Sequence, residues 1–364
     1  MNNNNFKIRE MLSGENAFYN RPDYEEVTRK ELDSSKTVNQ PIYTYNTENK
    51  VWRVVKDIFS VILFPIGLYR LIHSGVGRIV VTASSPKLMG IDPDYADQIR
   101  KVVDLRGEWK VKRISVKVDG YVIDAAIFGK ASTLGNGRWV FYSNGNGEFY
   151  EGKLHDHNFK QILSELKGNA IVFNYPGVGS SSGMPNRSVM AKTYRAMLNL
   201  LEDQEKGVGA SEIIGFGHSL GGGVQGDALR SHKLKKNEKY VFVKSRTFSD
   251  LSTITSQITF KLLGFLLKVF GWNMSSIESS KKLEAPEIIM QTAFGGEYKD
   301  ILDHPEEVKH DGVIPAEASL AKRLLEDEEC PKNNKYFMGI PDYHNEGIWD
   351  SSHLVEKIEE MIQA

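Results

Sequence analysis

The sequence predicts an α/β protein with a mostly parallel central sheet and helices on both faces. Three observations lead there. From about residue 111, short apolar β-rich runs alternate with longer helix-compatible stretches, a pattern that implies parallel strands joined by crossover helices. Asp119-Gly120 separates two β-rich runs as a two-residue hairpin turn does. The pentapeptide Gly217-His218-Ser219-Leu220-Gly221 stands between the apolar run 213–216 and a helix-compatible stretch.

Taken in order, strands are expected over 113–118 and 121–128, then over 139–142, 170–174, 213–216, 240–243, 287–292 and 335–338. Helices are expected over 159–167, 189–201, 222–231 and 316–329, with a last one over 351–362. This body spans 106–364, and a cap-like insertion occupies about 250–284. Residues 1–50 read as a polar, loosely ordered extension with one short helix, because they carry no sustained apolar period. Residues 51–105 form an apolar, helical segment that packs on the body or on a membrane. Within it, 58–69 is an uncharged run of 12 residues, interrupted by Pro65 and closed by Arg70. A spanning helix needs about 20 residues, so the run is too short to cross a bilayer. Arg53, Lys56, Arg70 and Arg78 flank it against Asp57 alone, which suits an anionic surface.

Composition narrows the function. The chain has 364 residues, 46 Lys and Arg against 47 Asp and Glu, a net charge of −1 and 40% apolar residues. There is no basic field for a phosphate backbone, so nucleic acid is not an expected partner. Cys330 is the single cysteine, which excludes an intrachain disulfide and a thiolate metal cluster. The first ten residues lack a signal-peptide core, so synthesis in the cytosol is expected, and the sequons at Asn186 and Asn273 would matter only in a secreted chain.

The pentapeptide carries the sharpest chemical signal. A strand that turns abruptly into a helix leaves the central Ser219 strained and exposed as a nucleophile, with the Leu220 N–H as an oxyanion donor. Such a serine needs a base and an acid, expected in the order Ser, Asp or Glu, then His. His344 lies in a loop after the strand 335–338 and before the last helix, whereas His353 falls inside that helix and His310 abuts a candidate acid. For the acid, Asp300, Asp303 and Asp311 all follow the strand 287–292. The loop Ser143-Asn144-Gly145-Asn146-Gly147 offers the Asn146 N–H as second oxyanion donor, since flanking glycines free that backbone.

Other motifs are weaker. Residues 147–153 fit G-x-x-x-x-G-K, but Leu154 stands where a phosphate-binding loop needs Ser or Thr, so a nucleotide enzyme is disfavoured. His155, Asp156 and His157 are adjacent and rarely could converge on one ion, so they read as solvated. Residues 177–183 read as a flexible loop near the site mouth. In 258–272 the only charges, Lys261 and Lys268, share one helical face, which predicts a helix whose apolar side covers the Ser219 pocket or dips into a lipid interface.

From about Arg113 onward these motifs resemble those of the α/β-hydrolases. GHSLGG (217–222) fits that pattern fully, SNGNG (143–147) resembles the oxyanion loop with Asn144 in place of His, and IVFNYPGVGSSSG (171–183) resembles the D-Y-R-G stretch. Asp311-Gly312-Val313-Ile314-Pro315 resembles the acid segment, and this selects Asp311 over Asp303 and Asp300. More narrowly, ILFPIGLYRLIHSGVGRIVV (62–81), YSNGNGEFYE (142–151) and FGWNMSSIESSKKL (270–283) resemble the chlamydial CHLPS-type family, with relatives among Legionella translocated effectors of the SidB and SdbB kind. The resemblance implies a lipase-like or esterase-like serine hydrolase with triad Ser219, Asp311 and His344, delivered into a host cell. Peripheral membrane contact is plausible on the same grounds, and no metal or organic cofactor is called for. A scaffold that keeps the fold without catalysis is the alternative.

Overall fold

The computed structural model describes residues 8–13, 18–34, 40–49, 51–52, 54–55, 58–59 and 64–363. The first seven residues, 60–63 of the apolar run, and the flanking Arg53, Lys56 and Asp57 lie outside these. The described residues build one sheet in the order β1-β2-β3-β5-β4-β6-β7-β8-β10-β9. Its strands are β1 (Tyr43–Tyr45), β2 (Trp109–Val118), β3 (Tyr121–Lys130), β4 (Arg138–Ser143), β5 (Asn169–Phe173), β6 (Glu212–His218), β7 (Lys239–Ser245), β8 (Glu287–Thr292), β9 (Lys299–Asp300) and β10 (Lys335–Ile340). From β5 through β10 in that order the strands run parallel; β3 is antiparallel to both neighbours and β9 to β10. The expected mostly parallel α/β architecture is what the chain adopts.

The hairpin forms where expected, because Asp119 and Gly120 take φ 46° and 97°, the paired positive values a tight turn between twisted strands requires. The central strands are buried throughout, and alternate side chains feed two cores. Phe141, Ile171, Ile213 and Phe242 pack on one face, with Tyr194 and Met197 of α7 (Arg187–Glu202) and Val224 of α8 (Leu220–Leu229). Val140, Val172, Ile214 and Val241 pack on the other, with Phe159 of α6 (His157–Glu165) and Leu354 of α13 (Ser351–Gln363).

Three elements differ from expectation. The described residues of the N-terminal segment pack on the body: α1 (Ile8–Ser13), α2 (Tyr24–Asp33) and β1 join it, and Ile8, Leu12, Phe18, Tyr24 and Tyr43 are buried in its core. Tyr24 both donates to the Val111 carbonyl (3.2 Å) and accepts from the Val111 N–H (2.9 Å). The anchors are aromatic residues at irregular spacing, which leave no periodic trace. Second, Pro65 lies within the first turn of α3 (Phe64–Val80), where its missing N–H costs no hydrogen bond within that helix. Third, the helix expected over 316–329 is a 3-10 turn (Ala316–Ala318) and the short α12 (Leu320–Leu325). Ser319 divides them, bridging Phe248 through its backbone and capping the Lys322 N–H with its hydroxyl.

A buried charge network ties the front of the sheet together. Arg113 grips Asp124 with two bonds of 2.8 and 2.9 Å. Arg100, on α4 (Tyr95–Lys101), pairs with Glu151 on α5 (Tyr150–Lys153), and Asn174 donates to the same carboxylate at 2.9 Å. Arg100, Arg113, Asp124 and Glu151 are all fully buried, so removing one partner strands another charge away from water. Arg100→Ala should therefore lower unfolding free energy by about 3–5 kcal/mol in urea titration. Arg106→Ala, which breaks the exposed pair with Asp104, should leave the midpoint unchanged.

Candidate active site

The site grows from the end of β6. Ser219, the residue between β6 and α8, has φ 51° and ψ −117°, a conformation that costs a side-chain-bearing residue about 1–3 kcal/mol. The turn is held open by its neighbours: the Ser219 N–H donates to the Ser245 carbonyl at 3.0 Å and the Thr247 hydroxyl donates to the Ser219 carbonyl at 2.7 Å. Both flanking glycines are required by close approach. A Cβ on Gly217 would lie 2.9 Å from the Gly221 backbone, and one on Gly221 would lie 2.0 Å from the Ser143 carbonyl oxygen. Leu220 is the first helical residue, so its N–H has no acceptor within the helix.

His344 reaches this serine from the loop after β10. Its Nε2 is 2.9 Å from Ser219 Oγ, and its Nδ1 is 2.9 Å from Asp311 Oδ2. The His344 backbone N–H also donates to the Asp311 carbonyl at 2.7 Å, fixing the loop to its partner. Asp311 is fully buried, and its Oδ1 accepts the Val313 and Ile314 amides at 2.9 and 2.6 Å. Burial pushes this carboxyl upward, but the bond and charge of His344 and the two amides outweigh it and hold Asp311 below the ordinary carboxylate range. With Asp311 ionised, the proton sits on Nδ1 and Nε2 is free to accept the Ser219 hydroxyl.

The long insertion before Asp311 does not displace it. The chain leaves β8, adds β9 to the outer side of β10, and returns through an Ala293–Val308 bridge and a Lys309 N–H to Thr292 carbonyl bond of 3.0 Å. Asp311 thus emerges beside the end of β8. Asp300 and Asp303 are exposed on the excursion, His310 accepts the Gly312 N–H, and His353 faces Tyr336.

A cavity of about 500 Å³ opens at Ser219. Phe159, Ile162, Phe216 and Ile348 with the Tyr142 ring form its apolar wall, Glu148, Lys153, Asp156, Asn158 and Glu346 its polar one, and Asn146 lines it beside the serine. The Asn146 side-chain oxygen accepts both the backbone N–H and the hydroxyl of Thr82 at 2.9 Å, so the segment after α3 clamps this loop. No residue of the insertion 250–284 is among the lining, so its helices do not cover the pocket. The 177–183 loop also lies away from the cavity and is fastened to the hairpin, with Ser181 and Ser182 bonded to Asp124 and Val122. Lys153, the lysine of the phosphate-loop pattern, sits between Asp156 (3.1 Å) and Glu148 (3.4 Å). Asp156 caps α6, His157 is exposed, and His155 bonds the Ile99 carbonyl at 3.3 Å.

Two residues here escaped sequence reasoning. Arg246, at φ 44° directly after β7, is buried and donates to the carbonyls of Tyr343 and Glu346, on either side of His344. Burial lowers its guanidinium from the usual value. His218 is also buried; desolvation first, then the Arg246 and His344 charges, hold its imidazole well below the ordinary range, so it is neutral. Arg246 follows a strand adjacent to the serine's strand, and that position is the one signal that could have flagged it.

The strand order and the strained serine at the β6–α8 turn define an α/β-hydrolase-fold protein. The model of the family described as Chlamydia CHLPS protein (DUF818) matches residues 26–364, and the chain belongs to that family. No curated protein matches the sequence. Among solved structures, the Pyrococcus furiosus esterase Pf2001 is 14% identical, with 70% of this chain and 92% of that one covered and a TM-score of 0.50, a likeness of fold. Acetyl xylan esterase 1 from Thermoanaerobacterium aligns at 11% identity over 74% of this chain and 92% of its own, with a TM-score of 0.46.

Gly221→Ala should destabilise the fold by about 1–3 kcal/mol or more, because the contact is with rigid backbone. Gly152→Ala, in α5 with open space around it, should be neutral or stabilise by up to about 1 kcal/mol. Thermal unfolding of the two variants checks the contrast.

Proposed function

We propose that the protein is a serine hydrolase that cleaves a carboxylic ester, with a lipid or other acyl ester as substrate. The observation that carries this reading is the hydrogen-bonded line from Ser219 Oγ through His344 to the buried Asp311. In this mechanism Ser219 Oγ attacks the ester carbonyl as His344 Nε2 takes its proton, and Asp311 stabilises the resulting imidazolium. The Leu220 and Asn146 backbone N–H groups hold the oxyanion. The intermediate collapses by breaking the acyl–oxygen bond, and His344 returns the proton to the departing alcohol. Water, deprotonated by His344, then attacks the acyl-enzyme and releases the acid and the free serine. Arg246 acts on this chemistry indirectly, by fastening the loop that carries His344.

The wall of Phe159, Ile162, Phe216 and Ile348 favours an acyl chain as the group that lies against it, since burying such a chain returns about 0.8 kcal/mol per methylene. Hydrolysis of p-nitrophenyl esters of increasing chain length, together with fluorophosphonate labelling, tests the reading. Ser219→Ala should abolish labelling and lower hydrolysis by about 10⁴-fold or more while leaving the melting temperature within a few degrees. Undiminished hydrolysis would remove the mechanism, and an unlabelled, inactive wild type would indicate a binding scaffold. For the acid, Asp311→Asn should lower kcat by about 10⁴-fold, through the wrong imidazole tautomer, while Asp303→Asn leaves it unchanged. The reverse order would move the acid into the insertion.

A further inference from the structure

Two helices far apart in sequence meet on one side of the molecule. His73 of α3 stacks on Trp272 with ring centres 4.9 Å apart and bonds the Phe270 carbonyl at 2.7 Å, while the Trp272 indole donates back to the His73 carbonyl at 2.9 Å. Trp272 lies just beyond α10 (Lys261–Val269), the helix packed on α9 (Leu251–Ile258). Stacking and two hydrogen bonds thus join these elements. Their outer faces are not those of ordinary surface helices.

In α3 the residues turned to the body include His73 and Gly77, whereas the outward stripe carries Leu68, Leu71, Ile72 and Ile79. In α10 the buried residue is Gly264, and the outward stripe is Leu262, Phe265 and Val269. Exposure reaches 69% for Leu71, 70% for Ile79, 66% for Leu262 and 59% for Phe265. Val76 and Val80 of α3 and Leu267 of α10 pack against the core, yet each helix also carries a second set of large apolar side chains on its outer face. A contiguous apolar surface of this kind marks a site that meets an apolar partner.

Charge says which one. From 58 through 91 the charged residues are Arg70, Arg78 and Lys87, and from 251 through 277 they are Lys261 and Lys268, with no carboxylate in either stretch. At the border of the patch Asp227 pairs with Arg187, Asp119 and Glu48 hold Lys192, and Asp250 caps α9. A second copy of the chain meeting this patch about a twofold axis would set cations against cations. No helix of the described residues is long and apolar enough to cross a membrane. We propose that α3 and α10 together form a docking surface for an anionic lipid bilayer, lying in the headgroup plane with their apolar stripes in the acyl boundary and Arg78, Lys87, Lys261 and Lys268 on the headgroups. This inference stands on the surface alone and does not depend on the ester chemistry.

The test is flotation of the full chain with vesicles of phosphatidylcholine, with and without phosphatidylserine. Wild type should float with the anionic vesicles, and partition should weaken by about fivefold for each cation that loses its partner when phosphatidylserine is omitted, or progressively as salt rises. Leu262→Glu/Phe265→Glu and Leu71→Glu/Ile79→Glu should each abolish flotation while keeping the wild-type melting temperature. Because these positions are already exposed, unfolding is not expected; should a variant unfold, the phosphatidylserine and salt series on wild type still decides. Absence of flotation at any lipid composition, equal binding by the variants, or a wild-type dimer that the same substitutions dissociate would overturn the proposal.

Discussion

The first turn of α8 begins so near the end of β4 that one added carbon at Gly221 would sit 2.0 Å from the Ser143 carbonyl oxygen. The geometry of the site follows from that approach. β4 and β6 are parallel neighbours, with Ser143 opposite Gly217, so the chain leaving each strand emerges on the same edge of the sheet. The loop after Ser143 is thereby set beside the turn at Ser219, and Asn146 reaches the serine's cavity. A residue with a side chain at Gly221 would separate the two strand ends and with them the serine from its prospective oxyanion donors.

The strain at Ser219 persists because the surroundings over-determine it. β7 lies on the other side of β6, and its end supplies the Ser245 carbonyl and the Thr247 hydroxyl that hold the turn. The next residue in that chain, Arg246, spends its guanidinium on the carbonyls either side of His344. One strand end therefore braces both the serine and the loop that brings the imidazole to it. Asp311 is fixed in turn by its own following amides and by the His344 backbone.

The N-terminal segment is part of this support. Arg100 reaches Glu151, three residues beyond the end of the Asn146 loop at Glu148, and Thr82 binds the Asn146 side chain directly. The same segment contains α3, whose outer stripe is apolar. Site and surface are thus mechanically joined through Thr82, although the cavity at Ser219 is lined by neither α3 nor α10.

How much of this was legible in the sequence depends on range. The hairpin at Asp119-Gly120, the buried strands, the turn at Ser219 and the placement of His344 after the last long strand are local patterns, set by backbone preference and by periods of two or about four residues. The pairing of His344 with Asp311 rather than Asp303 was visible only through the likeness of the 311–315 segment to other sequences. The bridge that closes the excursion at Ala293 and Val308 is what makes it so, and contacts of that kind have no sequence period. The same holds for the N-terminal aromatics, read as a polar extension yet buried at Phe18, Tyr24 and Tyr43, and for Ser319, which breaks a helix that local propensity favours. It holds for Arg246, whose hydrogen-bond partners lie about a hundred positions away in the chain. Sequence alone determined which residues had the chemistry and which segments were apolar. Only the tertiary structure decided which of them meet, and that the apolar faces of α3 and α10 turn outward, because those outcomes depend on which distant backbone closes over each face.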